Sequence, residues 1–577
     1  MYKKVFSYLR EYKKYAIMTP IIMIGEVLME ILIPYVMAEM INIGIKGDGG
    51  TSFTVKAGLA MIAMAVVSLC FGALGGVTAA RAGMGFGKNL RGALFNKVQD
   101  YSFANVDKFS TASLVTRLTT DVTNIQNTLM MLIRMAIRAP FMMVGAIIMA
   151  VKISPKLSTV FFIAVPVLGF ILIFIMTNAH PRFGKMLKKY DAMNASVQEN
   201  LIGIRVVKAF VRERHEKDKF RMSAEDVRSS QIMAEKLIIL NGPAMQISMY
   251  TCIVAILWFG GNMVISKTGM EIGDLSGFIS YITQILGSLM ALSFIFISLV
   301  ISRASIGRVV EILDEEIDIK DAPNSTVTPE DGSVEFKNVS FSYSKNPDNL
   351  TLTDINLKIN SGETIGVIGG TGSAKTTLVQ LIPRLYDVLD GELLVGGHNV
   401  KEYKLETLRD SVAMVLQKNV LFSGTIRDNL RWGDKNATDE EIENACRNAQ
   451  AHDFIMSFPD GYDTVLGQGG VNVSGGQKQR LCIARALLKK PRIIILDDST
   501  SAVDTATDAK IREAFRRELS DTTAIIIAQR ISSVQDADRT IVLDDGKVVA
   551  FDTHENLLKS CDIYREVYES QMKGDEE

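Results

Sequence analysis

Six long apolar stretches constrain this 577-residue chain more than any other feature. A helix needs about 20 mostly apolar residues to cross the hydrocarbon of a bilayer, and every stretch meets that length. Buried helices of a soluble core are the alternative, but these are usually shorter and amphipathic. We therefore predict a membrane domain of six transmembrane helices over residues 1–302. The stretches lie near residues 16–43, 56–80, 132–152, 157–178, 242–265 and 274–302.

The distribution of Lys and Arg predicts the orientation of these helices. The N-terminal segment and the segment between the fourth and fifth stretches are basic, whereas the other connections (44–55, 153–156 and 266–273) carry few charges. Because basic loops remain on the cytoplasmic side, we expect both termini to be cytoplasmic in a multi-pass protein of the plasma (inner) membrane. The polar segments near 81–131 and 179–241 are typical of membrane helices that continue into the cytosol.

Beyond residue 302 the pattern changes. Residues 303–332 are charged and then rich in turn formers, which is typical of a linker. Over residues 333–577 short strand-like runs alternate with helical patterns, which predicts a mostly parallel α/β domain with a late hairpin at Asp545-Gly546. The five cysteines and five histidines do not cluster, and a net charge of −1 gives no argument for nucleic acid.

GGTGSAKTT, residues 369–377, follows an apolar strand and precedes a helical pattern. It fits the phosphate-loop rule except that Ala374 stands where the rule has glycine. Backbone N–H groups of such a loop bind phosphate, Lys375 is expected to neutralise the β and γ phosphates, and the Thr376 hydroxyl is expected to bind Mg²⁺. The candidate ATP-binding residues of the loop are Gly369, Gly370, Thr371, Gly372, Ser373, Ala374, Lys375, Thr376 and Thr377.

Ala374 leaves two backbone conformations open. If its φ angle is positive, the methyl group costs about 1–2 kcal/mol relative to glycine. If its φ angle is negative, the methyl group only crowds the loop. Nucleotide binding is expected in both cases, because the strand, the lysine, the threonine and the helix are all present.

VSGGQKQR, residues 473–480, opens a helical run shortly before RIIILDD at 492–498. Ser474 is a predicted N-cap, and the following glycines allow close approach to the positive end of the helix dipole. From Val334 onward the chain resembles the nucleotide-binding domain of ATP-binding-cassette (ABC) transporters, whose LSGGQ signature it matches with Val in place of Leu. The resemblance implies that the ATP of an opposite cassette faces Val473, Ser474, Gly475, Gly476 and Gln477.

Other positions match the motifs of this family one by one. The resemblance implies that Tyr343 stacks on adenine and that Gln417 senses Mg²⁺ and touches the membrane domain. The implied metal ligands are Thr376, Gln417 and Asp497. SAVD, residues 501–504, resembles the D-loop that crosses between cassettes, with Ser501 and Asp504 as its candidate residues.

The N-terminal half resembles the six-helix membrane domain of exporters in the same family. The implied architecture is therefore the type I/IV ABC exporter fold followed by a phosphate-loop α/β domain. Two segments, 110–122 and 199–210, match the cytoplasmic ends of that membrane domain, and short helices there are expected to press into the cassettes. The resemblance covers nearly the whole chain.

Three departures from the family pattern belong to one nucleotide site. Asp498 replaces the glutamate that polarises the attacking water, Gln529 replaces the switch histidine, and Ala374 alters the phosphate loop. Phosphoryl transfer depends on positioning, and a carboxylate withdrawn by one methylene loses on the order of 100-fold in rate. Glutamine hydrogen-bonds phosphate but carries no positive charge. We expect a site that binds ATP and hydrolyses it poorly. Gln468, just before the signature, also replaces a frequent glutamate.

An intact signature beside a degenerate site favours a heterodimer. A second half-transporter would supply the catalytic glutamate and the histidine, and this chain would complete its site as the degenerate subunit of a bacterial multidrug-type exporter. Hydrophobic or amphipathic compounds would then be exported by alternating access, with the ATPase activity mainly at the shared site. A lipid or lipid-linked flippase, a non-transporting ATP-sensing regulatory subunit and a homodimer with two slow sites stay open.

Two acidic residues in the first apolar stretch are candidate substrate-cavity residues. Glu26 and Glu30 lie one helical turn apart, where charge is costly in lipid. They are expected either to attract cationic amphiphiles or to pair with Arg134 or Arg138 near the third stretch. The 28 methionines suit a promiscuous apolar cavity, and lipid-facing packing explains them equally well.

Overall fold

The structure, a computed structural model, describes residues 1–47, 49–498, 504–518 and 521–575. It divides into two compact units. The first unit comprises Met1–Gln99 and Thr111–Glu315, and the second comprises Asp100–Ser110 and Glu316–Glu577.

Long helices build the first unit. A 3₁₀ turn (Ser7–Tyr12) and two π-helical turns (Met40–Ile45 and Arg117–Asp121) interrupt or extend them. The helices up to residue 315 are α1 (Tyr2–Phe6), α2 (Lys13–Glu39), α3 (Gly50–Gln99), α4 (Phe103–Lys108), α5 (Thr111–Thr116), α6 (Val122–Ile153), α7 (Thr159–Ile202), α8 (Ile204–Ala209), α9 (Glu213–Ile238), α10 (Asn241–Ile265) and α11 (Ile272–Asp314).

Within the described residues, six helical runs are long and apolar enough to cross a membrane. This confirms the six predicted spans. These helices have polar extensions beyond the apolar stretch. Helix α7, for example, has 44 residues, well beyond the length that a bilayer requires. The runs are Tyr2–Ile45, Gly50–Gln99, Thr111–Ile153, Thr159–Ile202, Glu213–Ile265 and Ile272–Phe296.

One boundary differs from the sequence prediction. The predicted linker, 303–332, begins as helix, because α11 continues to Asp314 with Ile306, Val309 and Ile312 buried on one face. Of residues 110–122, the second unit includes only Ser110, and the same unit includes the short helix α4.

The second unit combines two main sheets with helices. One has the strand order β2-β1-β4-β5 and is antiparallel, and the other has the order β12-β11-β3-β10-β9-β6. The strands are β1 (Val334–Phe341), β2 (Leu352–Ile359), β3 (Thr364–Gly369), β4 (Asp390–Val395), β5 (His398–Asn399), β6 (Val412–Val415), β7 (Gly424–Thr425), β8 (Val465–Leu466), β9 (Ile493–Asp497), β10 (Thr523–Ile527), β11 (Arg539–Asp544) and β12 (Lys547–Asp552).

The helices of the second unit pack mainly around the larger sheet. Neighbouring strands from β11 to β6 run parallel, and β12 pairs antiparallel with β11 across Asp545-Gly546, where φ is positive at both residues. The helices are α12 (Lys375–Leu381), α13 (Leu405–Ser411), α14 (Ile426–Leu430), α15 (Asp439–Asn448), α16 (His452–Met456), α17 (Gly475–Leu488), α18 (Thr505–Glu518), α19 (His554–Ser560) and α20 (Asp562–Asp575).

Candidate nucleotide-binding site

The carboxyl ends of four parallel strands bring the predicted site residues to one edge of the sheet. β3 leads into the phosphate loop, β9 ends at Asp497, β10 is followed by Gln529, and β6 is followed by Gln417. The register pairs Ile527 of β10 with both Val367 and Asp497. Ligands of open α/β sheets bind at this edge, so the topology itself assembles the site.

Lys375 begins α12, and its side chain folds back over the phosphate loop. Its Nζ donates hydrogen bonds to the carbonyl oxygens of Gly369 and Gly370, both at 2.8 Å. Burial lowers the pKa of Lys375, and the carboxylates of Asp497 and Asp498 oppose that shift. The ammonium group is thereby held at the loop, where phosphate oxygens would be stronger, charged acceptors.

Ala374 has a φ angle of 70° and a ψ angle of 24°, which places it in the left-handed region. This settles the question that the sequence left open. The loop keeps the turn that glycine would adopt without strain, and the methyl group costs about 1–2 kcal/mol there. The departure at this position is therefore a strained residue in an otherwise regular phosphate loop.

Two of the predicted metal ligands lie together. The Thr376 hydroxyl donates a hydrogen bond to Asp497 Oδ1 at 3.0 Å. Burial raises the pKa of Asp497, and the bond from Thr376 opposes that rise. A hydroxyl and a carboxylate are the hard oxygen ligands that Mg²⁺ prefers, so the pair fits this ion. Among the described residues, Gln417 is exposed after β6 and forms no hydrogen bond with either of them.

A Mg²⁺ ion bound by Thr376 and Asp497 would take its other ligands from outside the protein. Within the part of the chain that the structure describes, no group of three or more His, Cys, Asp or Glu side chains could hold a metal ion. Mg²⁺ is usually held by one or two protein oxygens together with substrate phosphates and water. The donor set at Thr376 and Asp497 is of that kind.

Asp498 and Gln529, the two other departures, contact each other. Gln529 Nε2 donates a hydrogen bond to Asp498 Oδ2 at 2.8 Å. The backbone of Asp498 is fixed as well, because its N–H donates to Ile527 O at 3.1 Å and its carbonyl accepts from Gln479 Nε2 at 3.3 Å. The Asp498 carboxylate is thus turned toward an amide donor and held there.

Tyr343, the predicted adenine-stacking residue, lies just after β1 with 48% of its surface exposed. Its hydroxyl and Thr377 Oγ1 are 3.0 Å apart, which ties the ring to the first turn of α12. Its ring meets the edges of Phe341 and Tyr386 at centroid distances of 4.9 and 5.1 Å. An exposed, well-supported ring beside the phosphate loop suits a stacked base.

The signature residues form a capped helix start. Ser474 Oγ accepts from the Gln477 backbone N–H at 3.3 Å, and Gln477 Oε1 accepts from the Ser474 N–H at 2.8 Å. Val473 is buried, whereas Ser474 and Gly475 are exposed. The positive end of the 14-residue helix α17 is therefore accessible to an anion.

The remaining predicted positions are distributed around this core. Gln468 lies in a 3₁₀ turn, Gln468–Gly470. The Asp504 carboxylate accepts from the Thr507 N–H at 2.9 Å, which caps α18 and lowers the pKa of Asp504. Ser501 lies outside the described residues.

In the first unit, Glu26 and Glu30 are paired with Arg138. Arg138 Nη2 lies 2.8 Å from Glu30 Oε1 and Oε2, and Arg138 Nε lies 3.5 Å from Glu26 Oε1. Arg134 is exposed one turn earlier on α6. Of the two predictions left open, the geometry favours ion pairing, and it selects Arg138 as the partner.

One contact beside Tyr343 was not predicted from the sequence. Tyr386 donates a hydrogen bond to Asp107 Oδ2 at 2.6 Å, although 279 residues separate the two in the chain. Tyr386 packs against the ring of Tyr343. No local pattern signals such a pair, because each residue lies in a segment that is typical of a surface loop or a short helix.

Six candidate membrane spans and a phosphate-loop domain with a capped SGGQ helix define a membrane transporter that uses ATP. The family model described as "ABC transporter transmembrane region" matches residues 17–289. The family model described as "ABC transporter" matches residues 352–501. The chain belongs to the ABC transporter family and is a multi-pass ABC exporter. Membership implies ATP binding, normally with Mg²⁺, and ATPase activity.

Individual relatives cover nearly the same length. The chain is 37% identical over 571 residues to the uncharacterized ABC transporter ATP-binding protein YfiB of Bacillus subtilis (strain 168), covering 99% of this chain and 98% of that protein. It is 32% identical over 498 residues to an ATP-dependent lipid A-core flippase of Syntrophus aciditrophicus (strain SB), covering 84% and 80%. The solved structure of a bacterial Atm1-family ABC exporter with ATP bound is similar with a TM-score of 0.82 and 25% identity, covering 98% of both chains.

Proposed function

We propose that this chain is the degenerate subunit of a heterodimeric exporter. Its own site holds ATP and hydrolyses it slowly, and its signature helix completes the active site of a partner half-transporter that has the catalytic glutamate and the switch histidine. The pair exports hydrophobic or amphipathic compounds by alternating access. Both termini are cytoplasmic, and the membrane is the plasma (inner) membrane.

The contact between Gln529 and Asp498 carries this proposal. A catalytic carboxylate must reach the attacking water, but the Asp498 side chain is one methylene short and accepts a hydrogen bond from the neighbouring amide instead. Gln529 cannot supply the positive charge that a histidine can place near the γ-phosphate. Both effects act on the transition state, so they slow hydrolysis more than they weaken binding.

The groups that bind nucleotide are retained, which supports binding without rapid hydrolysis. In this proposal Tyr343 stacks on the base, the loop from Gly369 to Thr377 with Lys375 binds the phosphates, and Thr376, Asp497 and Gln417 hold Mg²⁺. When bound, Mg²⁺ neutralises charge on the β and γ phosphates. Gln417 lies after β6 and would have to approach the Thr376–Asp497 pair as the site closes.

The exposed helix start at Ser474 supports the sharing of sites. Its cap is complete, and its exposed start can bind a negative ligand from another molecule. A second cassette with bound ATP supplies that ligand, and Asp504 lies at the proposed crossing loop. ATP closes the cassettes, and the long helices that continue from the membrane domain transmit the closure.

Two further functions have specific support. A relative named as an ATP-dependent lipid A-core flippase favours a lipid or lipid-linked substrate as the alternative to drug-like compounds. The retained binding groups beside a slow site are equally compatible with an ATP-sensing regulatory subunit. Inverted vesicles that contain both chains distinguish the three, because an exporter takes up amphiphilic dye with ATP, a flippase moves labelled lipid, and a sensor does neither.

The decisive experiment compares the lone chain with the pair. Purified alone, the chain is expected to bind ATP with ordinary affinity and to turn it over slowly. Addition of a half-transporter with glutamate and histidine at the positions of Asp498 and Gln529 should raise the ATPase rate and give ATP-dependent uptake. Rapid ATPase and uptake by the lone chain would show a working homodimer and contradict the division of roles.

A further inference from the structure

The segment Asp100–Ser110 belongs to the nucleotide-binding unit, although it lies between the second and third membrane spans in sequence. Two polar anchors hold it there. Asn105 Nδ2 donates to Glu316 O at 2.9 Å, and Ser102 Oγ donates to Asp318 Oδ1 at 2.5 Å. Asp318 Oδ2 also accepts a hydrogen bond from Lys345 Nζ at 3.1 Å. Lys345 lies two residues after Tyr343 in the chain.

The third anchor is the hydrogen bond from the Tyr386 hydroxyl to Asp107 Oδ2, at 2.6 Å. Tyr386 is 8% exposed, and its burial, followed by its bond to Asp107, raises its pKa. Phe103, one turn before Asp107 on α4, also touches the Tyr386 ring edge-on at 6.1 Å. The α4 segment therefore fixes both the hydroxyl and the ring of Tyr386.

Tyr386 in turn fixes Tyr343. Their rings meet at 89° with centroids 5.1 Å apart, and Phe341 packs against both, at 4.9 Å from Tyr343 and 5.7 Å from Tyr386. We call Phe341, Tyr343 and Tyr386 the aromatic triad. With its hydroxyl at Thr377, the Tyr343 ring has little freedom to rotate, and its remaining surface is exposed.

We infer that Asp107 and Tyr386 are positioning residues for recognition of the adenine base, acting on the orientation of the Tyr343 ring. This inference rests on the proposed stacking role of Tyr343. A stacked base gains its interaction from a ring that is already oriented, so each contact that holds Tyr386 strengthens base binding. By linkage, a bound base strengthens the hold of the nucleotide-binding unit on the α4 segment.

The inference predicts an effect that depends on the base. Asp107→Ala removes the acceptor, and Tyr386→Phe removes the donor while it keeps the ring against Tyr343. Each should weaken ATP binding by about 5-fold, the effect of one hydrogen bond to a charged group shared among several contacts. Inorganic tripolyphosphate has no base, so its affinity should not change.

The experiment uses the full chain in lipid nanodiscs with Mg²⁺. Displacement of a fluorescent ATP analogue gives the affinities of ATP and of tripolyphosphate in the same assay. Asp100→Ala is the matched control, because it removes an exposed aspartate from the start of the same segment. Asp107→Asn keeps an acceptor oxygen at the same place and should recover most of the lost ATP affinity.

A double-mutant cycle provides the second test. In a Tyr343→Ala background no oriented ring remains, so Asp107→Ala should cause no further loss of ATP affinity. Equal losses for ATP and tripolyphosphate, no loss for either, or full additivity with Tyr343→Ala would each overturn the inference. If Tyr343→Ala alone leaves ATP affinity unchanged, the stacking role within the proposed function is wrong. Failure of the heterodimer proposal would instead be seen as rapid ATP hydrolysis and uptake by the lone chain.

Discussion

Gln529 Nε2 lies 2.8 Å from Asp498 Oδ2 and donates a hydrogen bond to it. The two residues on which the proposed slow site depends are therefore partners of each other. The bond holds the Asp498 carboxylate, which follows β9, beside the uncharged amide of Gln529, which follows β10. For the proposed slow site, we therefore expect faster hydrolysis to require changes at both residues.

In a pair whose partner has lost its own catalytic glutamate, Asp498→Glu combined with Gln529→His should raise the ATPase rate by about 10- to 100-fold. The longer carboxylate recovers its reach, and the imidazole recovers the capacity for positive charge. Steady-state phosphate release measures the change. Asp410→Glu is the matched control, because it lengthens an exposed aspartate near the end of α13 by the same methylene. It should leave the rate unchanged. An unchanged rate in the double variant would reject this account of the slow site.

Ala374→Gly should stabilise the chain by about 1 kcal/mol, because φ of 70° is strained for alanine and free for glycine. Thermal unfolding of the full chain in detergent would show it as a higher midpoint. Gly372→Ala is the matched opposite change. Its φ is 88° and nothing lies within 4 Å of a methyl group there, so it should lower the midpoint through strain alone. A lower midpoint for Ala374→Gly would contradict the left-handed assignment.

Ser474→Asp should leave the fold intact and abolish most of the ATPase activity of the pair. Aspartate caps a helix as well as serine does, but its charge repels the γ-phosphate of the opposite cassette. Binding of ATP to this chain alone should stay normal. Thr438→Asp makes the same kind of change at the capping box of α15 and should leave turnover unaffected. Normal turnover with Ser474→Asp would argue against shared sites.

The sequence predicted the six spans and the phosphate-loop domain because both depend on local patterns. Apolar length marks each span, and Lys375 with Thr376 lies in one continuous loop. The helical start of the predicted linker, 303–332, was not predicted, because charged residues on the solvent side of α11 masked the buried face of Ile306, Val309 and Ile312.

Contacts between distant segments were beyond sequence reasoning. The sign of φ at Ala374 depends on the whole loop, and the choice of Arg138 over Arg134 depends on how α2 and α6 pack. The bond from Tyr386 to Asp107 spans 279 residues. The antiparallel sheet was missed in part for the same reason, since β1 pairs with β4 although β2, β3 and α12 lie between them in the chain.

Arg138→Met should strongly destabilise the membrane unit. It leaves Glu26 and Glu30 without their cation, and because the Arg138 side chain is 35% exposed, the cost should lie below the ~3–5 kcal/mol of a fully buried pair. Combining it with Glu26→Gln and Glu30→Gln removes the unpaired charges and should restore folding. Yield and thermal midpoint after detergent extraction measure both effects. Arg134→Met, an exposed arginine one turn away on α6, is the matched control and should change little.

The same triple variant tests the substrate role of the two glutamates. Both carboxylates are engaged by Arg138, so we expect vesicles with the triple variant and its partner to take up cationic and neutral amphiphiles at unchanged relative rates. A selective loss of cationic uptake, with neutral uptake retained, would mean that substrate cations compete with Arg138 for these carboxylates. The ion pair would then be part of the substrate site, because a bound cation would have to displace the guanidinium during each cycle.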